Sequence, residues 1–204
     1  MDTLHTLSKY AKMILLWGVI FALVAGIGSL IWPKQYSATS QLLLISRDRT
    51  GVDPYTQAKS AERIGENLAE VLKTTDFYSK VFELSTATFD KTRWQNLTER
   101  NQRKQWQKDV QANMIYNTSL LSVSAYSKTQ DDAVALSQAV TETLVNRGWE
   151  YVGGDVSLKV VNAPLVSRLP ARPNILLNIA LGFALGILLS GLWVANYKHG
   201  NLFN

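Results

Sequence analysis

Met13-Ile-Leu-Leu-Trp-Gly-Val-Ile-Phe-Ala-Leu-Val-Ala-Gly-Ile-Gly-Ser-Leu-Ile-Trp-Pro33 contains no charged residue; the charge-free window between Lys12 and Lys34 is 21 residues long. An α-helix rises about 1.5 Å per residue, so roughly 20 apolar residues cross a hydrocarbon core about 30 Å thick. A second charge-free window, of 25 residues, lies between Arg172 and Lys198, with Asn178 and Ser190 as its main polar members. A charge at mid-bilayer would cost about 2.5–3.5 kcal/mol, and neither window carries one. The pair predicts transmembrane helices over 13–33 and 173–197. They bracket residues 34–172, which read as soluble sequence.

Two competing readings are weaker. Lys9 and Lys12 would suit the basic start of a signal peptide, but the apolar stretch exceeds the roughly 7–15 residues of such a core and no A-x-A site follows. A buried core helix is a poor match for 25 uncharged residues near a chain end. Short positive flanks stay cytoplasmic, so Lys9, Lys12 and Lys198 place residues 1–12 and 198–204 in the cytoplasm. Lys34, Arg168 and Arg172 oppose that signal from the other side. The expected location is the inner (cytoplasmic) membrane, multi-pass, with 34–172 extracytoplasmic. Trp17, Trp32, Trp193 and Tyr197 fall near the window ends, as interface-seeking aromatics do. Gly18, Ala22 and Gly26 recur four apart, as do Gly182 and Gly186. Such spacing lets helix backbones approach closely, although Gly and Ala are also common in membrane helices generally.

The middle segment is long enough for one domain with its own core. It holds 18 Lys+Arg against 15 Asp+Glu, a balance too mixed to argue for nucleic acid. The chain has no cysteine, which is compatible with export of a domain this size. Tyr36–Ile45 reads as a strand off the membrane. After Pro54, Ala61, Ile64, Gly65, Leu68, Val71 and Leu72 share one helical face. Lys59, Glu62, Arg63, Glu66, Glu70 and Lys73 share the other. Asp76–Leu84 reads as a short helix and Thr92–Asp109 as a polar one. Gln111–Tyr116 and the stretch around Leu121, Val123 and Ala125 alternate as a hairpin turning at Asn117-Thr118. Thr129-Gln-Asp-Asp132 has the form of a capping box ahead of a helix carrying Ala133, Leu136, Val140 and Leu144. Gly153-Gly154 breaks the chain, and Val156, Leu158 and Val160 alternate as a last strand. The order is β-α-α-α-β-β-α-β. The fold class expected is α+β, a small mixed sheet packed by helices, with the first and last strands in one sheet.

The chemistry-bearing residues are sparse. The two histidines, His5 and His199, lie outside the middle segment, and no phosphate-binding glycine motif occurs. Asp131-Asp132 is a carboxylate pair, but acidic residues at a helix start are explained by the helix dipole. The expectation is a non-enzyme without metal or cofactor. If Thr92–Asp109 is one helix, Arg93, Arg100, Lys104 and Lys108 form a basic strip beside Leu97, with Trp94 and Trp106 off it. The strip would meet an acidic glycan or a lipid pyrophosphate, or it is a solvated face or a set of salt bridges to a neighbouring subunit.

Three stretches carry a family resemblance: Pro33-Lys-Gln-Tyr36-Ser-Ala38 after the first window, Ser119–Ala133 as strand then capped helix, and Val160-Val-Asn-Ala-Pro164 leading to Arg168-Leu-Pro170-Ala-Arg-Pro173-Asn174 before a Gly-containing membrane helix. In this layout the chain resembles the polysaccharide co-polymerase, or chain-length-determinant (Wzz-type), family. It departs at Gln130, where the family often has proline, at Gln138, where asparagine is usual, and in the spacing of Pro164, Pro170 and Pro173. The resemblance implies a compact member without a fused kinase. It implies a non-catalytic scaffold that regulates O-antigen, capsule or exopolysaccharide chain length as a ring-like homo-oligomer beside a membrane polysaccharide polymerase. Two other roles stay open. One is an adaptor for a separate cytoplasmic tyrosine kinase, docked through Leu202 and Phe203; the other is glycan export. Physically, Pro170 and Pro173 favour extended backbone before them, and Pro173 suits a first helical turn, so the three prolines would make a stiff joint.

Overall fold

The computed structural model describes residues 10–46, 53–84, 86, 88–152 and 156–200. His5, Lys9, the Gly153-Gly154 break and the Leu202-Phe203 tail lie outside the described residues. In chain order the elements are α1 (Ala11–Ile31), β1 (Tyr36–Ser46), α2 (Pro54–Val71), α3 (Thr75–Leu84), α4 (Thr92–Gln95), α5 (Glu99–Asp109), β2 (Val110–Met114), β3 (Leu120–Ser127), α6 (Gln130–Arg147), α7 (Trp149–Val152), β4 (Val156–Val166) and α8 (Ile175–Gly200). They form two compact units, Met1–Lys34 with Ala171–Asn204, and Gln35–Pro170.

The first unit is the pair α1 and α8. Each contains a stretch long and apolar enough to cross a membrane, Ala11–Ile31 and Ile175–Asn196. Most of their large side chains point outward: Leu23, Val24, Ile27, Leu181, Leu188 and Leu192 are all more than half exposed. A helix pair that buries small residues and exposes leucine would be unstable in water and suits a lipid surround.

The second unit is a four-stranded sheet in the order β2-β3-β1-β4. Every pairing is antiparallel, which corrects the expected mixed sheet. The reason is topological. The connections β1 to β2 and β3 to β4 each rejoin the sheet pointing the same way, but each skips one strand. β3 lies between β1 and β2, and β1 lies between β3 and β4, so parallel strands never touch. This is two interleaved split β-α-β units, the ferredoxin-like arrangement. β1 and β4 are neighbours, with Ala38 opposite Val166.

Burial alternates along β3, with Leu121, Val123, Ala125 and Ser127 inward. The helices cover that face. α2 packs Ala61, Leu68 and Leu72 inward as its spacing predicts, and it starts on Asp53, whose carboxylate accepts from the Thr56 N–H. A Cβ on Gly65 would lie 2.3 Å from the Met114 Sδ, so α2 approaches the hairpin closely here and a larger residue would displace the Met114 side chain. Glu62 departs from its expected exposed face: it is buried, accepting from the Lys59 ammonium at 2.9 Å and from the Asn117 backbone in the hairpin turn. Asn117 makes that turn at φ 56°. The polar helix expected over Thr92–Asp109 is two helices, because Asn96–Thr98 leave helical geometry between them. The core beneath is aromatic. Trp94 and Trp106 are fully buried, with ring centroids 6.0 Å apart, and Phe82 stands edge-on to Trp94 at 5.5 Å.

Candidate functional site

The small-residue positions on α1 and α8 form one seam. Gly18, Ala22 and Gly26 are buried on α1 together with Ile14 and Ser29. Across from them, a Cβ on Gly186 would lie 2.8 Å from both the Gly18 Cα and the Trp17 carbonyl. One on Gly182 would lie 2.7 Å from the Phe21 carbonyl. These are backbone neighbours that cannot swing away, so both positions need glycine. Gly28 faces open space and takes no part. The two main polar residues of the second window, Asn178 and Ser190, are satisfied within the pair. Asn178 donates from Nδ2 to the Ser29 Oγ at 2.9 Å, and Ser190 donates to the Gly186 carbonyl at 2.7 Å. In hydrocarbon such bonds act as interhelical glue or as self-satisfaction.

The three prolines fall in three different places. Pro164 sits inside β4, which runs on to Val166, beyond the Val160 where the alternation stops being readable. β4 is an edge strand whose register against β1 shifts near this point, and an edge tolerates a residue without an N–H. Pro170 ends the second unit. Pro173 follows a cis peptide bond and precedes the helix rather than opening it. The cap of α8 is Asn174, whose carboxamide oxygen accepts from the Leu177 N–H at 3.1 Å.

The basic strip divides. Arg100, Lys104 and Lys108 lie on the exposed side of α5. Arg93, on α4, turns inward. It donates to the Tyr126 carbonyl at 3.1 Å and the Ser127 Oγ at 2.8 Å, pairs with Asp132, and lies 3.8 Å from the buried Asp109 carboxylate. Its guanidinium also stacks 4.4 Å from the Trp94 ring. Only the first half of the expected capping box forms. Thr129 accepts from the Asp132 N–H, but the Asp132 carboxylate is engaged by Arg93, by Ser127 and by the Asp90 N–H. Arg93 therefore ties α4, the end of α5, the end of β3 and the start of α6 into one strut.

A second polar cluster ties α3 to α7. The Lys80 ammonium lies 2.7 Å from Glu150, 3.0 Å from the Tyr151 hydroxyl and 3.1 Å from Asp76. The Glu150, Tyr151 and Asp76 bonds raise the Lys80 pKa above its ordinary value. The Glu150 carboxyl is held below its ordinary range by Lys80 and then Arg147. Asp76 is held low chiefly by the Tyr151 hydroxyl, while burial pushes Tyr151 up. Among the described residues no three His, Asp or Glu side chains converge in a way that could hold a metal ion. Sequence reasoning missed Arg93 as a strut because its partners come from three distant segments. The only local signal was the neighbouring Asp90, two residues before Thr92.

No protein-family model matches the chain, and no curated protein sequence matches it.

Proposed function

We propose that the chain is a non-catalytic scaffold of the inner membrane that regulates polysaccharide chain length. It would work as a ring-like homo-oligomer beside a membrane polysaccharide polymerase, with both termini cytoplasmic and residues 34–172 extracytoplasmic. The observation that carries the reading is the architecture. Two apolar helices packed along a glycine seam bracket one β-α-β-β-α-β unit, and the strands nearest the helices in sequence, β1 and β4, are paired neighbours. That arrangement supports a role in which a domain of defined shape is held at a bilayer. The proline-containing segment before α8 and the strand-then-capped-helix at Ser119–Ala133 support the same family reading. The fold alone hosts many functions, so the reading rests on the layout together with those motifs.

Deleting the gene is expected to shift the length distribution of surface glycan on a gel; an unchanged ladder rejects the proposal. Membrane topology has its own test. The chain has no cysteine, so Lys128→Cys introduces a single thiol at an exposed position. A membrane-impermeant maleimide should label it from outside the cytoplasm; labelling only after the cytoplasm is opened rejects the orientation.

A further inference from the structure

The face of the sheet that turns away from the helices carries an unusual set of side chains. Register places Ser122, Gln41 and Asn162 in one row across β3, β1 and β4. Gln111, Ser124 and Thr39 form the next row across β2, β3 and β1, which the exposed Leu165 continues on β4; Leu43 and Leu120 are paired on the same face. All six polar residues are neutral, and all can both donate and accept hydrogen bonds. Lys159, opposite Leu43, is the one charged residue of this face among the described strand residues. The rows are already organised. The Thr39 and Ser124 hydroxyls are 2.9 Å apart, and Asn162 donates to the Gln41 carboxamide at 2.6 Å. Tyr126, half-buried at one end, adds an aromatic ring, with its hydroxyl 3.5 Å from the Gln111 carboxamide oxygen.

The chemistry of this face selects among partners. An ionic polymer finds one counter-charge here, the exposed Lys159; the exposed basic row Arg100, Lys104 and Lys108 lies on α5, not on this face. A second copy stacking its own sheet on this one would bury rows of amides and hydroxyls, at a cost for each left unpaired. An uncharged glycan meets neither obstacle. Its hydroxyls donate and accept alternately, as these side chains do, and its C–H faces pack on an aromatic ring.

We propose that the helix-free sheet face is a platform for an uncharged glycan strand, which exchanges hydrogen bonds with the Thr39–Ser124 and Gln41–Asn162 pairs and packs a sugar ring on Tyr126. The proposal rests on the polysaccharide reading above for the class of ligand. The pre-formed pairs hold the side chains in place, which lowers the ordering cost of binding.

The test uses the full chain in nanodiscs, with dextran, mannan and galactan as uncharged probes and polygalacturonate as the polyanion. Saturation-transfer NMR should show contact with at least one uncharged polymer. The Gln41→Ala/Asn162→Ala double variant should bind it about tenfold more weakly, and Tyr126→Leu should also weaken it. An unchanged thermal midpoint would show that the variants stay folded. Three results overturn the platform: no contact with any uncharged polymer, equal binding by the double variant, or binding only of polygalacturonate, lost with Arg100→Ala and Lys104→Ala. The two readings also fail separately in cells. An unchanged glycan ladder on gene deletion sinks the chain-length role and leaves the binding result standing. A ladder that shifts on deletion but not with the double variant sinks the platform alone.

Discussion

The helix pair and the sheet domain reach close packing by opposite means. Between α1 and α8 the contact is made by removing side chains: Gly182 and Gly186 let backbone meet backbone, and Gly18 and Gly26 leave room for the Phe183, Ile187 and Ile179 side chains. In the domain the contact is made by adding them: Phe77, Trp94 and Trp106 fill the space beneath the sheet. The difference follows from solvent. Lipid tails are as apolar as leucine, so burying leucine between membrane helices gains little, and close approach and interhelical hydrogen bonds must hold the pair. In water the same leucine or tryptophan is driven inward by roughly 25 cal/mol per Å² of apolar surface. The regions also treat polar groups differently. The helix pair uses neutral bonds such as Asn178 to Ser29 and Ser190 to Gly186, whereas the domain buries an ionic strut around Arg93.

The largest effect should come from breaking that strut. Arg93→Ala removes the guanidinium that sits beside the buried Asp109 and pairs with the mostly buried Asp132, and removing one partner of a buried pair costs about 3–5 kcal/mol. The domain's unfolding midpoint should fall accordingly; a midpoint within error of wild type would mean the strut is ornamental to stability. Next comes overfilling of the seam. Gly186→Leu places a side chain where the Gly18 backbone already lies, and overpacking costs about 1–3 kcal/mol. Cross-linking between cysteines placed on α1 and α8 should drop with Gly186→Leu and hold with Gly28→Leu, whose site is open. Equal behaviour of the two would dissolve the contrast drawn above.

A smaller effect is expected with pH. Asp76, Glu142 and Glu150 have carboxyls held below their ordinary values, so the unfolded chain binds more protons as pH falls. The stability they contribute is complete above their ordinary values of 3.8 to 4.5 and is lost as pH drops through the depressed ones. Lys80 works the other way: its raised pKa gives stability that persists at neutral pH and is lost only as pH rises through the raised value. Thermal midpoints should therefore be level across neutrality and fall on acidification, less steeply in Lys80→Met. The smallest effect belongs to the membrane pair. Asn178→Leu should cost about 0.6 kcal/mol, a typical interhelical hydrogen bond in a bilayer. A shift as large as that of Arg93→Ala would show that the pair leans on polar contacts after all.

Much of this was legible in the chain. Apolar windows found α1 and α8, period-3.6 spacing found α2 and α6, strand-forming composition found β1, and alternation found β2, β3 and β4, because each of these signals is local. What escaped reading was set by distant partners. Arg93 looked like a surface residue because Asp109, Ser127 and Asp132 lie beyond its own helix. Glu62 fell on the polar face of α2, yet the hairpin turn at Asn117 covers it. Gln41 and Asn162 sit far apart in sequence, and only the β1–β4 register brings them side by side. The split at Asn96–Thr98 did leave a trace: Thr98 ahead of Glu99 is a helix-start residue type in the middle of an assumed helix. The strand sense was out of reach, since identical alternation serves parallel and antiparallel neighbours alike.

The pairing of Ala38 with Val166 has a mechanical consequence. The domain is entered and left through adjacent antiparallel strands, at the same end of both. If its two ends are drawn apart, the β1–β4 ladder is loaded like a zipper, one hydrogen bond at a time, the geometry in which a sheet yields most easily. If both ends move together, the ladder carries no tension. The domain is thus stiff toward a displacement shared by both its tethers and compliant toward one that separates them.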